Sequence, residues 1–251
     1  MKRIAIALGL LLMLPVASYA DSNQEAIAIV DKAIAASGGA EALAKMKGAT
    51  WKAKGKLDFN GMAITYTADY AFAYPDKLRF DIDMDAGGMK VKFASATNGK
   101  DAWQQSGDQF EVMTKEKGVE FDHNVYVMQI SQLLPLKDKV YTLTSLGESK
   151  VGDQPVMGIK VARGGRREVS LYFDKKTGLL AKSSTRVVAE LTMKEVTQDV
   201  LVSDYRDKDG AKIFGKLTIL HDGKEYIVEE MSDYKVMEKV DDKVFAKPAG
   251  K

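Results

Sequence analysis

The sequence predicts a mainly β fold of the α+β class: about eleven antiparallel strands in one curled sheet, with an N-terminal helix and a lid helix. Three observations predict it. From Ala49 onward, apolar and polar residues alternate with the period of two that marks a half-buried strand. Glycines beside Asn, Asp or a second glycine interrupt that alternation at short intervals, supplying the left-handed backbone that tight turns need. Helical periodicity is confined to short segments, too few to cover the apolar side of so many strands.

The chain begins with Lys2 and Arg3, an apolar run from Ile4 to Val16, and the small-residue pattern Ser18-Tyr19-Ala20. That order predicts a secretory signal peptide over residues 1–20, with an apolar run too short to span a bilayer. Residues 21–251 are expected to form one domain. Residues 24–36 read as a helix with Ile27, Val30, Ala33 and Ile34 on one face, stopped by Gly38-Gly39. Residues 40–47 read as a second, short helix.

The first strand carries Trp51, Ala53, Leu57 and Phe59, and turns at Asn60-Gly61. Ile64, Tyr66, Ala68, Tyr70, Phe72 and Tyr74 alternate along the next, which Pro75-Asp76 ends. Leu78, Phe80, Ile82 and Met84 then alternate with Arg79, Asp81, Asp83 and Asp85. After Gly87-Gly88, Met89, Val91 and Phe93 alternate with Lys90 and Lys92. Residues 101–114 read as a hairpin turning at Ser106-Gly107-Asp108. Residues 122–134 break the pattern: Asp122 caps a helix, Val127, Ile130, Leu133 and Leu134 form its apolar stripe, and Pro135 ends it. Strands resume near 140–147, 154–162, 167–174, 179–188, 191–205, 212–221 and 224–236. Their short connections favour an antiparallel meander, because parallel strands need long crossovers.

Composition narrows the function. The chain has 37 basic and 35 acidic side chains, and two of the basic ones lie in the signal segment. A near-neutral domain lacks the basic surface of a nucleic-acid or anionic-membrane binder. There is no cysteine, hence no disulfide, thiol nucleophile or thiolate metal site, and nothing to mispair in an oxidising, periplasmic compartment. Asp81, Asp83 and Asp85 share one strand face, where a carboxylate ladder could bind a cation, but they read first as a charged outer surface that blocks edge pairing. His123 and His221 stand far apart without a nucleophile motif and read as surface residues beside a helix start and a turn rather than as a metal pair or a catalytic base. The "RGGRRE" turn at 163–168 reads as a solvated hairpin tip or as a contact for a phosphate or an acidic partner.

Each buried Leu, Ile or Phe contributes about 1.5–3 kcal/mol relative to exposure, so the sheet must turn its apolar faces inward. Twelve methionines, Met1 and Met13 of them in the signal segment, offer an adaptable lining. Alternation shows which side is apolar, not whether the enclosed space is filled. A hollow interior with a helix as its door and a packed sandwich both satisfy it, and Trp51 and Trp103 fit a cavity wall or a core equally.

Four motifs, "AYPDKLRF" at 73–80, "TNGKDAWQQ" at 97–105, "LYFDKKTGLLAK" at 171–182 and "DDKVFAKP" at 241–248, carry a resemblance in their order and spacing. The chain resembles the periplasmic lipoprotein-carrier family, LolA/LolB-like and including outer-membrane lipoprotein-sorting proteins. The resemblance implies a half-open antiparallel β barrel with a helical lid, non-enzymatic, holding the acyl chains of a lipid or lipoprotein. On that reading Trp51, Leu57, Phe59, Ile64, Tyr66, Tyr70, Phe72, Phe80, Ile82, Val91 and Phe93 line the cavity. Val127, Ile130, Leu133 and Leu134 close over it. The family's dedicated carriers hold the lid with an arginine before the strand-entry proline; Tyr74 stands there in this chain. The expectation is a monomer without cofactor, metal or nucleic acid, handing cargo to a partner protein in the inner or outer membrane. The alternative is a non-catalytic envelope sensor or protein-interaction domain using the same fold.

Overall fold

The computed structural model describes residues 17–59, 61–116, 118–189 and 192–248. Residues 1–16 of the expected signal peptide, Asn60 of the first turn and Leu191 lie outside them. Helices α1 (Ala17–Ala36) and α2 (Gly39–Lys45) lead into β1 (Gly48–Phe59), β2 (Met62–Ala73), β3 (Lys77–Ala86), β4 (Met89–Thr97), β5 (Ala102–Ser106) and β6 (Gln109–Met113). Helix α3 (Val119–Ser131) follows, then β7 (Thr142–Val151), β8 (Gln154–Ala162), β9 (Val169–Asp174), β10 (Leu180–Ala189), β11 (Lys194–Lys208), β12 (Ala211–His221) and β13 (Lys224–Met237).

Among the described residues thirteen strands, more than the eleven or so expected, form one antiparallel sheet in the order β6-β5-β4-β3-β2-β1-β13-β12-β11-β10-β9-β8-β7. The thirteen correspond one to one with the alternating segments of the sequence, so about eleven was an undercount. The sheet keeps two edges and does not close. Its edges are β6 and β7, which are consecutive in sequence. The chain between them, which contains α3, therefore has to pass from one edge to the other. It does so across the concave side.

Helix α3 is buried on two faces for that reason. Tyr126 and Ile130 join Leu133, Leu136 and Tyr141 in a core with α1 and strands β7–β9. Val125, with Phe121 and Met128, packs instead on Trp51, Phe72 and Leu78 of β1–β3. At about 1.5–3 kcal/mol for each fully buried large side chain, the two rows hold the helix between the arms of the sheet. Two boundaries differ from expectation. The helix starts one turn before Asp122, because Gly118 sits at its N-cap and its carbonyl accepts from the Asp122 amide at 2.8 Å. It ends at Ser131 rather than at Pro135; Leu133, at φ 68, breaks the ladder, and Pro135 falls in a 3₁₀ turn over Leu134–Lys137.

Helix α1 buries Ala26, Val30, Ala33 and Ile34, while Ile27, expected on that face, is exposed. The fully buried alanines let the helix lie close to the sheet, and Asn23 Nδ2 donates to the Leu143 carbonyl at 2.9 Å. Gly38 ends the helix at φ 115, where a Cβ would lie 2.2 Å from the Gly210 carbonyl oxygen. On the convex side, Ala71, Ala73, Val240 and Phe245 make a small second core under the 3₁₀ turn Asp242–Phe245. Trp103 belongs to that side: its Nε1 donates to the Phe245 carbonyl at 3.2 Å, and Arg79 lies 5.4 Å over its ring. Trp51 lies on the concave side with α3.

Candidate functional site

Directly paired residues of antiparallel neighbours share a face. The pairs Trp51–Tyr70, Leu57–Ile64, Tyr70–Phe80, Phe72–Leu78, Tyr66–Met84, Met84–Val91 and Ile82–Phe93 therefore place the expected lining residues together on the concave face. Phe59, paired with Met62, lies at its outer end. The continuation across the sheet brings Ile227, Glu229 and Met231 of β13 and Leu217 and Ile219 of β12 to the same face.

The face divides into a covered and an open part. Under α3 an aromatic row crosses five adjacent strands from β13 to β4. Trp51 stacks on Tyr70 at 4.9 Å and on Tyr234 at 5.8 Å, Tyr70 meets Phe80 at 6.0 Å, and Phe80 meets Phe93 at 6.0 Å. Phe121 of α3 closes the row edge-on to Phe80 at 5.8 Å. Beyond the helix, Leu57, Ile64, Ile82, Met84, Val91 and Ile227 are half-buried. The tips are open: Phe59 is 40% exposed, Met62 59% and Met89 65%. The result is an apolar trough running from beneath α3 to the hairpin tips, not an enclosed cavity. An open depression of about 650 Å³ lies on the opposite, charged face of the same strands, bordered by Lys54, Lys56, Asp83 and Asp85.

One carboxylate stands in the trough. Glu229 is 5% exposed, and its Oε1 accepts from the Tyr70 hydroxyl at 2.6 Å and the Tyr66 hydroxyl at 2.8 Å. Gly55 makes this possible: Tyr66 lies across it, and a Cβ there would be 2.3 Å from the ring. Burial raises the Glu229 carboxyl above the ordinary range, and the hydrogen bonds from Tyr70 and Tyr66 oppose that shift. Burial, and then the Glu229 charge, push both tyrosines well above their ordinary value, so both remain donors.

The cover is held by polar contacts on its other side. Arg167 grips Glu120 through both carboxylate oxygens at 2.6 and 2.7 Å, and Arg166 bonds Asp122. The Arg167 hydrogen bond holds the Glu120 carboxyl below its ordinary pKa. Thr185 donates its hydroxyl proton to the Glu168 carbonyl at 2.9 Å, so the His123 Nε2 at 3.0 Å is the donor to Thr185 Oγ1. Burial, followed by the charge of Arg167, lowers the His123 pKa.

The expected lid residues sit differently from expectation. Ile130 and Leu133 are buried against α1 and β7–β9, with Val127 and Leu134 packed beside them. The residues of α3 that face the trough are Phe121, Val125 and Met128. Tyr74 is 44% exposed just after β2, and its amide donates to the Lys47 carbonyl at 2.8 Å. The "RGGRRE" turn is the clamp on α3 rather than a free hairpin tip. Glu229 was legible: it falls at an apolar position between Ile227 and Met231. The Asp81 carboxylate is taken by Arg79 at 2.7 Å, and Asp83 faces Lys92 at 3.4 Å.

No family model and no curated protein matches the chain. Solved structures do. A DUF1329 family protein from Desulfovibrio piger is similar at 12% identity and TM-score 0.57, over 88% of this chain and 97% of that one. A LolA superfamily protein from Nitrosomonas europaea is similar at 14% identity and TM-score 0.57, over the same shares. A putative outer-membrane lipoprotein-sorting protein domain from Vibrio parahaemolyticus is similar at 9% identity and TM-score 0.56, over 89% of this chain and 97% of that one. At these identities the likeness concerns the fold: an open, curled LolA-like sheet around a helix.

Proposed function

We propose that this chain, with its LolA-like fold, is an exported, periplasmic binder or carrier of acyl chains, from a lipid or a lipoprotein, and not a catalyst. The observation that carries the reading is the half-covered trough: apolar side chains from β12, β13 and β1–β4 on one face, shielded by α3 at one end and open at the tips. Burying an acyl chain there removes apolar surface from water on both partners, at about 0.8 kcal/mol per CH₂. The fold shared with a putative lipoprotein-sorting domain supports the same reading.

Helix α3 is the movable cover in this account. Its trough-facing row is apolar, whereas its opposite side is clamped by Arg166, Arg167 and Thr185. A chain entering beneath Phe121, Val125 and Met128 displaces the apolar row while the clamp acts as the hinge. The test is titration with a spin-labelled fatty acid, read by quenching of tryptophan fluorescence. Saturable quenching of Trp51 that leaves Trp103, on the convex side, unaffected supports the trough; absence of binding refutes it.

Export rests on the segment 1–20. Helix α1 begins at Ala17 and runs through the expected junction after Ala20. N-terminal sequencing of protein recovered from the envelope is expected to begin at Asp21, and a retained Met1 contradicts a cleaved signal.

A further inference from the structure

Glu229 is out of place on an apolar face. A buried, ionised carboxylate is costly unless its oxygens are satisfied. Here Oε1 has two hydroxyl donors, from Tyr66 and Tyr70, and the 2.6 and 2.8 Å distances suit bonds to a charged oxygen. Among the described residues Tyr66 and Tyr70 are the hydrogen-bond donors to Glu229, no basic group pairs with it, and Oε2 is not one of the fully buried atoms left without a partner, so it keeps access to the trough. A merely structural acid would be cheaper as glutamine or as an apolar residue. Two tyrosines and a side-chain-free Gly55 are instead arranged to hold one oxygen and leave the other accessible.

The neighbours fit one kind of visitor. Tyr70, which bonds Glu229, stacks on Trp51 at 4.9 Å and 7°, and Trp51 stacks on Tyr234. Aromatic faces attract cations through their ring quadrupoles, and the attraction grows when water is excluded. A carboxylate oxygen can only accept. A carboxylate acceptor bordered by aromatic rings and followed by an apolar trough is, in its ionised form, complementary to an ammonium head on a hydrocarbon chain.

We propose that Glu229, held by Tyr66 and Tyr70, is an anchor for the ammonium group of a cationic amphiphile whose chain lies in the trough toward Phe59 and Met62. The inference rests on the acyl-binding reading and adds the head-group class. Burial raises the Glu229 pKa, and an ammonium partner offsets that effect by favouring the ionised form.

The test compares dodecylammonium, dodecan-1-ol and dodecanoate, each below its aggregation concentration, with the full chain at neutral pH. Dissociation constants come from isothermal titration of wild type and of Glu229→Gln, with folding checked by circular dichroism. The expected result is dodecylammonium binding about tenfold or more tighter than dodecanol, which is about 1.4 kcal/mol, with dodecanoate weakest. In Glu229→Gln the ammonium-to-alcohol ratio is expected to fall to within about twofold. If Glu229→Gln does not fold, Tyr70→Phe replaces it: loss of one donor to Oε1 destabilises the anion, and the ratio is expected to drop about threefold or more. Equal binding of the three compounds, or a preference that survives both substitutions, overturns the anchor and leaves acyl binding standing. If none of the three binds, both are overturned.

Discussion

Glu229 and Gly55 set the chemistry of the trough at the scale of single residues. Gly55→Ala places a methyl group 2.3 Å from the Tyr66 ring, so the ring must leave its place over the strand. The expected cost is about 1–3 kcal/mol by chemical denaturation, as for overpacked cores. Glu229 also predicts a pH dependence. Its folded pKa is raised above 4.5, so its favourable contribution is complete below that value and is lost as pH rises through the raised one. The stability difference between Glu229→Gln and wild type is therefore expected to shift in favour of the variant as pH rises from 4. A difference that is flat with pH, measured by denaturation at several pH values, contradicts a buried, titrating Glu229. The sequence held the cue, a glutamate in phase with Ile227 and Met231, but not the partners: Tyr66 and Tyr70 lie more than 150 positions away and meet it only across β1.

Helix α3 is where apolar packing and polar clamping oppose each other at the scale of elements. Glu120 and Arg167 are each about one-third exposed, and solvent screens the pair. A double-mutant cycle is expected to give a coupling of about 0.5–1 kcal/mol despite the two-pronged contact. Ile130 is fully buried in the core shared with α1 and β7–β9, and Ile130→Ala is expected to cost about 2–5 kcal/mol. Acid should loosen the clamp. His123 is lowered below 6.5 and Glu120 below 4.5, so each contributes stability that is present above those values and lost as pH falls. Hydrogen exchange is expected to show α3 amides losing protection relative to those of β1 and β2 as pH falls below 6.5, through His123, and further below 4.5, through Glu120; equal loss in both contradicts a locally held cover. Periodicity located this helix to within three residues at each end. It missed the second buried face, because Phe121, Val125 and Met128 need a partner surface that only the folded sheet provides.

The curl of the whole sheet follows from one topological fact: β6 and β7 are neighbours in sequence and sit at opposite edges. The segment joining them must cross the concave side, and its apolar residues then serve both arms. Strand positions and the apolar face were legible in the sequence because turn residues and alternation are local. The filling of the interior was not, because alternation carries no information about the distance between opposed faces. What resulted is intermediate between the two expectations, packed beneath α3 and open from Glu229 to the tips. The decisive measurement is native mass spectrometry of the protein taken directly from the envelope of its own cells. One bound amphiphile per chain, lost when Ile64→Lys and Val91→Lys introduce charge into the trough of a folded protein, is the predicted result. A chain that emerges empty and takes up no long-chain amphiphile when offered one contradicts the account.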